Sequence, residues 1–326
     1  MRFVVYGTGA IGGVLGASLH ANGREVALIA RGRQFAAISD RGLRFERPGG
    51  ADVLSMPVAS HPAELRLGPR DVVLLTMKSQ DTAASLQELA ACAYPDVPVL
   101  CVQNGVDNER QALRLFSHVY GVSVNVPAAF LEPGTVQAYS SPTIGILDIG
   151  RYPSGSDELA QAVSLAFQAS GFASEVRTDI MRWKYRKLLF NLTNAIEAVC
   201  GPGTREGRLA EMDAREGEAC LRAAGIELVS EREESERRGE IIRVQPVAGK
   251  TRPGASAWQS LHRAAGSTEV DYLNGEIVLL GRTYGVETPA NELLEALTRK
   301  MARDLKPPGC FSTEEVLAQV TSRSAP

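Results

Sequence analysis

Phe3-Val4-Val5-Tyr6-Gly7-Thr8-Gly9-Ala10-Ile11-Gly12 is the stretch on which the fold of this 326-residue chain turns. Four apolar, strand-prone residues run into glycines spaced G-x-G-x-x-G, and a small-residue helical pattern follows through Leu15 and Leu19. Strand, glycine turn and helix in that order make a dinucleotide site. Gly7 permits the tight turn, Gly9 lets a pyrophosphate approach the backbone, and Gly12 lets the helix pack closely; the helix N-terminus adds N–H donors and a positive dipole. Thr8, Ala10 and Ile11 complete the expected cofactor loop. Without its flanks the same loop would be ordinary punctuation.

Further along, Gly23 ends the first helix, Glu25 to Ile29 reads as a second strand, and Asp71 to Met77 and Val97 to Val102 read as further buried parallel strands. Their alternation with helices predicts a doubly wound, mostly parallel α/β sheet of the Rossmann kind. From Val122 to Ile149, alternating short runs of Val, Pro, Gly and Thr predict extra, partly antiparallel strands extending that sheet. Ser156 is placed to cap a helix ending at Gly171. After Thr178 nearly everything reads as helix. The expected division is therefore a dinucleotide-binding Rossmann domain over residues 1–177 and an all-α domain over 178–326. Helices are expected at about Ile180 to Cys200, Glu206 to Ala224, Thr268 to Tyr284 and Pro289 to Asp304, with Gly285 stopping the third and Thr288-Pro289 starting the fourth. The mixed-charge run Glu231 to Glu240 reads as a solvated helix or turn.

Composition excludes several function classes. At 44% hydrophobic and 22% charged residues the chain is of ordinary globular type, long enough for two cores. A net charge of -3 leaves no broad basic field, so neither nucleic acid nor an anionic membrane is expected as a main partner. Cys92, Cys101, Cys200, Cys220 and Cys310 form no CxxC pair and suit reduced thiols, and with only four scattered histidines no metal site is expected. Met1-Arg2 leads straight into a strand, no bilayer-spanning run is read, and a cytoplasmic location is expected.

The second strand ends at Ala30-Arg31-Gly32-Arg33, where an NAD-selective domain carries an acid for the ribose 2′-hydroxyl. Guanidinium groups there suit a 2′-phosphate, and hence NADP(H), although surface arginines in a βα loop would look the same. Lys78 and Asn104-Gly105 stand just past two strand ends, the edge at which such sheets bind ligands. In the helix WKYRKLLFNLTNAIEAVC, Lys187, Asn191 and Asn194 share one face among Leu188, Leu189, Phe190, Leu192 and Ile196. A polar stripe in so apolar a helix needs partners, which an anionic substrate supplies. Glu269 reads first as an acid favoured by a helix dipole, and Ser256 as a loop or cap residue.

Taken together, GTGAIGG, Lys78, Asn104-Gly105, KLLFNLTNA and Ser256-x-x-Gln259 followed by TEVDYLNGE resemble the ketopantoate reductase (2-dehydropantoate 2-reductase) family over nearly the whole chain. The resemblance implies NADPH and a branched 2-keto acid meeting between a Rossmann and a helical domain. It implies Lys187 as general acid and Glu269 as the residue orienting the carbonyl or hydroxyl end. Asn104, Asn191 and Ser256 become substrate contacts, Arg31 and Lys78 cofactor cations, and the assembly a monomer or homodimer. One position departs: where the family commonly has a second asparagine four residues after the first, Ala195 stands, preceded by Asn194. One helical step turns a side chain by about 100°. The expected activity is reduction of ketopantoate to pantoate in pantothenate biosynthesis; the alternatives are another 2-keto acid or related carbonyl, or a non-catalytic NADP(H) sensor of the same fold.

Overall fold

The strand opening the chain, β1 (Arg2–Tyr6), has neighbours on both sides and apolar cover on both faces. The computed structural model describes residues 1–323. Phe3 and Val5 enter one core with Val14, Leu15 and Leu19, while Val4 and Tyr6 enter another with Val73, Leu75 and Leu86. A strand buried on both faces has no polar side to show, which is why its sequence reads as a continuous apolar run.

α1 (Ala10–Ala21), β2 (Glu25–Ile29), α2 (Gly32–Arg41), β3 (Leu43–Arg47), β4 (Gly50–Leu54) and β5 (Val58–Ala59) follow β1. Next come β6 (Asp71–Leu75), α3 (Ser79–Ala90), β7 (Val99–Cys101), α4 (Asn108–Leu113) and β8 (Val119–Asn125). The α/β part continues with β9 (Ala128–Ala129), β10 (Thr135–Ala138), β11 (Ile146–Arg151) and α5 (Glu158–Ala169). The main sheet has the order β11-β8-β7-β6-β1-β2-β5, parallel throughout except for β11 against β8. Tyr6 pairs in register with both Ile29 and Leu75, and Leu75 with Cys101. The chain therefore leaves β1, β2, β6 and β7 at one edge of the sheet, where the glycine loop, Arg31, Lys78 and Asn104 follow.

Two expectations are corrected here. The stretch from Val122 to Ile149 does not extend one sheet: β9 and β10 join β3 and β4 in a separate four-stranded sheet, order β4-β3-β10-β9. Buried Val136 and Ala138 pack there against the α1 side of the core, a burial that the alternating pattern alone does not assign to a sheet. The cap of α5 is Asp157, whose carboxylate accepts the Ala160 N–H at 2.9 Å, and not Ser156. A carboxylate at the N-cap also meets the helix dipole, which a hydroxyl does less well.

Helices follow: α6 (Ile180–Cys200), α7 (Arg208–Ala223), α8 (Glu231–Arg238), α9 (Ser256–His262), α10 (Asn274–Tyr284), α11 (Pro289–Arg303) and α12 (Thr313–Arg323). The expected third helix is interrupted. A 3-10 turn, Val270–Tyr272, comes first, Leu273 leaves helical backbone space (φ -117°, ψ -87°), and α10 starts afresh at Asn274. Gly285 closes α10 at φ +72°, and Pro289 opens α11, as their positions predict.

Compact packing divides the chain into residues 1–184 with 231–252, and 185–230 with 253–326. The first unit thus runs seven residues past the expected boundary at 177/178 and includes the mixed-charge stretch. Most of α8 is exposed, as a solvated helix should be. Arg237 is the exception: it donates to both carboxylate oxygens of buried Asp148, at 2.9 and 2.6 Å, and ties the stretch to β11. The second unit has its own core, built from Ile196, Val199, Leu209, Leu293, Leu294 and Val316 among others.

Candidate functional site

In the first unit, the glycine loop is held from behind and open in front. Gly7 has φ +104°, and a Cβ there would lie 2.5 Å from the Met77 backbone nitrogen; a Cβ on Gly12 would lie 2.3 Å from Thr76 Oγ1. Both positions exclude a side chain. At Gly9 an added Cβ meets nothing within 4 Å, so the loop is open on that side. Thr8 donates its hydroxyl to Ile29 O at 3.0 Å, Gln34 donates to Thr8 O at 2.8 Å, and Thr76 donates to Gly7 O at 2.8 Å. These bonds fix the backbone of the loop. No side chain caps α1, which starts at Ala10, Ile11 and Gly12, so its first amides face the open side with the dipole behind them. The residues fit a dinucleotide pyrophosphate.

Arg31 is the N-cap of α2 and half exposed. Its guanidinium pairs with Glu88 of α3 and donates to the Tyr6 hydroxyl at 2.9 Å. The Tyr6 hydroxyl in turn donates to Glu88. Burial and that bond to a carboxylate push the Tyr6 phenol up to about 12. Arg33 is exposed.

Lys78 caps α3 and Asn104 stands in the β7–α4 loop, both half-buried. The two loops are cross-braced by buried polar groups. Gln103 donates its amide to Met77 O at 2.9 Å and Thr82 Oγ1 at 2.8 Å, and Asn108 donates to Asn104 O at 2.9 Å. Beneath them Lys184, 3% exposed, donates to Gln103 O at 3.1 Å and pairs with Glu109, which is fully buried. Burial pushes the Glu109 carboxyl up, against the pull of Lys184. Neither residue was read from the sequence. Glu109 sits in the first turn of a helix, where an acid is commonplace, and Lys184 is masked by a cation-rich helix start.

In the second unit, the expected residues fall into two groups. Lys187 donates to Asn191 Oδ1 at 3.5 Å, one helical turn on, and its ammonium lies 5.8 Å from the Phe190 ring. Phe190 itself is exposed, and Arg205 also stacks on it at 4.8 Å. Asn194, Ser256 and Glu269 instead line a small cavity of about 10 Å³ together with Ala195, Val270, Leu273 and Asn274, room for roughly one water. Ser256 directs its hydroxyl to Glu269 at 3.5 Å, and Glu269 is 6% exposed. Asn194 and Ala195 both line this cavity. Glu269, Val270, Leu273 and Asn274, on both sides of the helical break, all line it.

Behind the cavity lies a buried polar cluster that sequence reasoning missed. Asn274 donates to Asp213 Oδ1 and Asn291 Oδ1, each at 3.1 Å, while its own Oδ1 has no hydrogen-bond partner among the described residues. Asp213 is fully buried, with Oδ2 unpartnered and no cation paired to it among the described residues. Burial, with the nearby Glu216, pushes its carboxyl well above the usual range. Glu216 accepts the Ala290 and Asn291 N–H groups at 2.8 and 2.9 Å and so caps α11 from outside. On α7 both acids read as part of a charged face. Only the packing shows which side they take.

Among the described residues, no cluster of His, Cys, Asp or Glu is arranged to hold a metal, and no helix is long and apolar enough to cross a membrane.

Two family models match the chain: "Ketopantoate reductase PanE/ApbA" over residues 3–153 and "Ketopantoate reductase PanE/ApbA C terminal" over 179–302. A 2-dehydropantoate 2-reductase of Pyrococcus horikoshii is 30% identical over 308 residues, covering 92% of this chain and 97% of that protein. The enzyme of the same name from Caulobacter vibrioides is 30% identical over 313 residues, covering 91% and 98%. Among solved structures, a PanE/ApbA family ketopantoate reductase from Ralstonia eutropha superposes with a TM-score of 0.77 at 28% identity over 94% of this chain and 99% of that one. A D-mandelate dehydrogenase with NADH and anilino(oxo)acetate reaches 0.78 at 23% identity, covering 94% and 99%, and shares the fold.

Proposed function

Since the chain belongs to the ketopantoate reductase family, an oxidoreductase family that uses NADPH, we propose that it reduces 2-dehydropantoate to pantoate and that Lys187, Glu269, Ser256 and the two asparagines carry the substrate chemistry. NADPH, when bound, supplies the hydride. Its pyrophosphate would rest on Gly7 to Gly12, its 2′-phosphate on Arg31, and Lys78 and Asn104 would complete the cofactor edge.

As C2 of the keto acid gains the hydride electron pair, its oxygen becomes an alkoxide and needs a proton or a cation at once. The Lys187 ammonium would give both: it donates to the oxygen, becomes a neutral amine and regains its proton from solvent. Asn191, accepting from Lys187, fixes the direction of that donor. Glu269 and Ser256, already in contact, would hold the hydroxyl end of the substrate. Asn104 is carried in the same proposal as a further substrate contact.

The observation that best supports this reading is the convergence of Asn194, Ser256 and Glu269, from three separated stretches, on one small polar cavity. The same cavity supports a second reading. With Ala195 where the family commonly has its second asparagine, and Asn194 one residue before it, a keto acid with a different substituent would fit this chain better. Steady-state rates of NADPH oxidation across a panel of 2-keto acids decide between them. The first reading expects ketopantoate to have the highest kcat/KM by at least about tenfold, and a different keto acid ahead by that margin would replace it. Tight NADPH binding with no turnover on any keto acid would leave only a nucleotide sensor. Assembly as a monomer or a homodimer goes with the same proposal, as does a cytoplasmic setting.

A further inference from the structure

Resting on the assignment of Arg31 to the nucleotide 2′-position, we infer that Glu88 sets the cofactor preference of this enzyme, its carboxylate sharing the Arg31 guanidinium with the 2′-phosphate and lowering the advantage of NADPH over NADH.

Arg31 is not a cation waiting for a phosphate. It is paired with Glu88, which stands on α3, the helix after β6, and both partners are held by the Tyr6 hydroxyl at the end of β1. Three elements of the sheet edge thus meet at the spot where dinucleotide folds read the ribose 2′-substituent. Both contacts made by Arg31 use Nη2, the nitrogen shared by the two bidentate edges of the planar guanidinium, Nε/Nη2 and Nη1/Nη2. A phosphate binding by either edge must therefore share Nη2 with the Glu88 carboxylate. It carries about -1.5 to -2 charges, so the encounter is repulsive as well as attractive. Asp81, also on α3, feels both Arg31 and Lys78 and adds a second acid to the same surroundings.

With NADH the balance reverses. The ribose 2′-hydroxyl is a donor, and a carboxylate is what NAD-selective domains offer it, from the end of the second strand. Here that strand end carries Arg31, and the carboxylate arrives from a neighbouring helix. The arrangement combines both devices: the cation that reads a phosphate and the acid that reads a hydroxyl, tied to each other. Spacing along the chain gives no hint of it, because Arg31 and Glu88 are 57 residues apart.

The test is a binding titration of NADPH and NADH to wild type and to Glu88→Gln, which keeps the hydrogen-bonding shape and removes the charge. Glu88 is about one-third exposed on a surface helix, so the variant is expected to fold. The ratio of the NADH Kd to the NADPH Kd should rise by about tenfold, chiefly through tighter NADPH, and the gain should shrink as salt is added. An unchanged ratio, or one moved toward NADH, would overturn the inference: Glu88 would then be a support that orients Arg31. Tyr6→Phe, which loosens the carboxylate without removing its charge, should move the ratio less than Glu88→Gln does. A larger effect from Tyr6→Phe would equally count against Glu88. No keto acid enters these titrations, so an error in the substrate assignment leaves them intact. Failure of wild type to bind either nucleotide would remove both the inference and the cofactor reading beneath it.

Discussion

The two units present their candidate groups by opposite means. In the first, the cofactor edge is mostly backbone: a glycine loop with no room for side chains at Gly7 and Gly12, an uncapped helix start, and loops braced from beneath. In the second, the candidate chemistry lies in side chains on helix faces around a cavity of about 10 Å³. The buried charges differ in the same sense. Glu109 has Lys184, whereas Asp213 has no cation among the described residues. A pyrophosphate is one ligand for a whole class of folds and can be met by shape and main chain; a particular keto acid has to be met by particular groups.

Lys187→Ala tests the contrast most severely. It should lower kcat by roughly 10²- to 10⁴-fold while leaving the NADPH Kd near that of wild type, because the lysine lies in the second unit and the glycine loop and Arg31 in the first. Steady-state kinetics with a nucleotide titration check both parts; loss of nucleotide binding would dissolve the distinction between the halves.

A smaller effect is expected on the cofactor side. Lys184→Met strands the Glu109 carboxylate in the interior and should cost about 3–5 kcal/mol of stability, read from urea unfolding. Adding Glu109→Gln should recover much of the loss, since the uncompensated charge disappears. If the single variant is as stable as wild type, the brace under Gln103 and Asn104 is not held by this pair.

Asp213→Asn should act in the opposite direction and more weakly. Burial raises the folded-state carboxyl well above its unfolded value, so whatever stability protonation brings is complete below the usual carboxylate range and lost as pH rises through the raised value. At neutral pH and above, the variant should therefore be more stable than wild type by about 1–3 kcal/mol, with the gain shrinking toward acid pH. Unfolding curves at several pH values check this. A variant destabilised at neutral pH would mean that the ionised form is held by the fold.

Much of the first unit was legible because its signals are local: an apolar run buried on two faces and glycines that exclude Cβ atoms. In the second unit α6, α7 and α11 were legible for the same reason, whereas α12 was not read and the helix expected from Thr268 starts only at Asn274. What the sequence did not disclose depends on contacts between distant elements. β10 goes to a second sheet because it pairs with β3, and Leu273 breaks a pattern that looks continuous. Lys184 finds Glu109 at a separation of 75 residues, and Arg31 meets Glu88 and Tyr6 through the order of the strands. At the candidate site, the spacing of Lys187 and Asn191 anticipated their contact one turn apart, and the glycine loop stands between strand and helix as read. That Asn194 joins Ser256 and Glu269 came only from the packing of α6, α9 and α10.

The most direct test of the chemistry is the fate of the hydride. Ketopantoate incubated with the protein and NADPH deuterated at C4, on each face in turn, should give pantoate carrying a single deuterium at C2 from one of the two faces, in step with NADPH consumed. Pantoate without deuterium from either labelled nucleotide, or NADPH oxidised with no pantoate formed, would contradict direct transfer from the cofactor to the keto carbon.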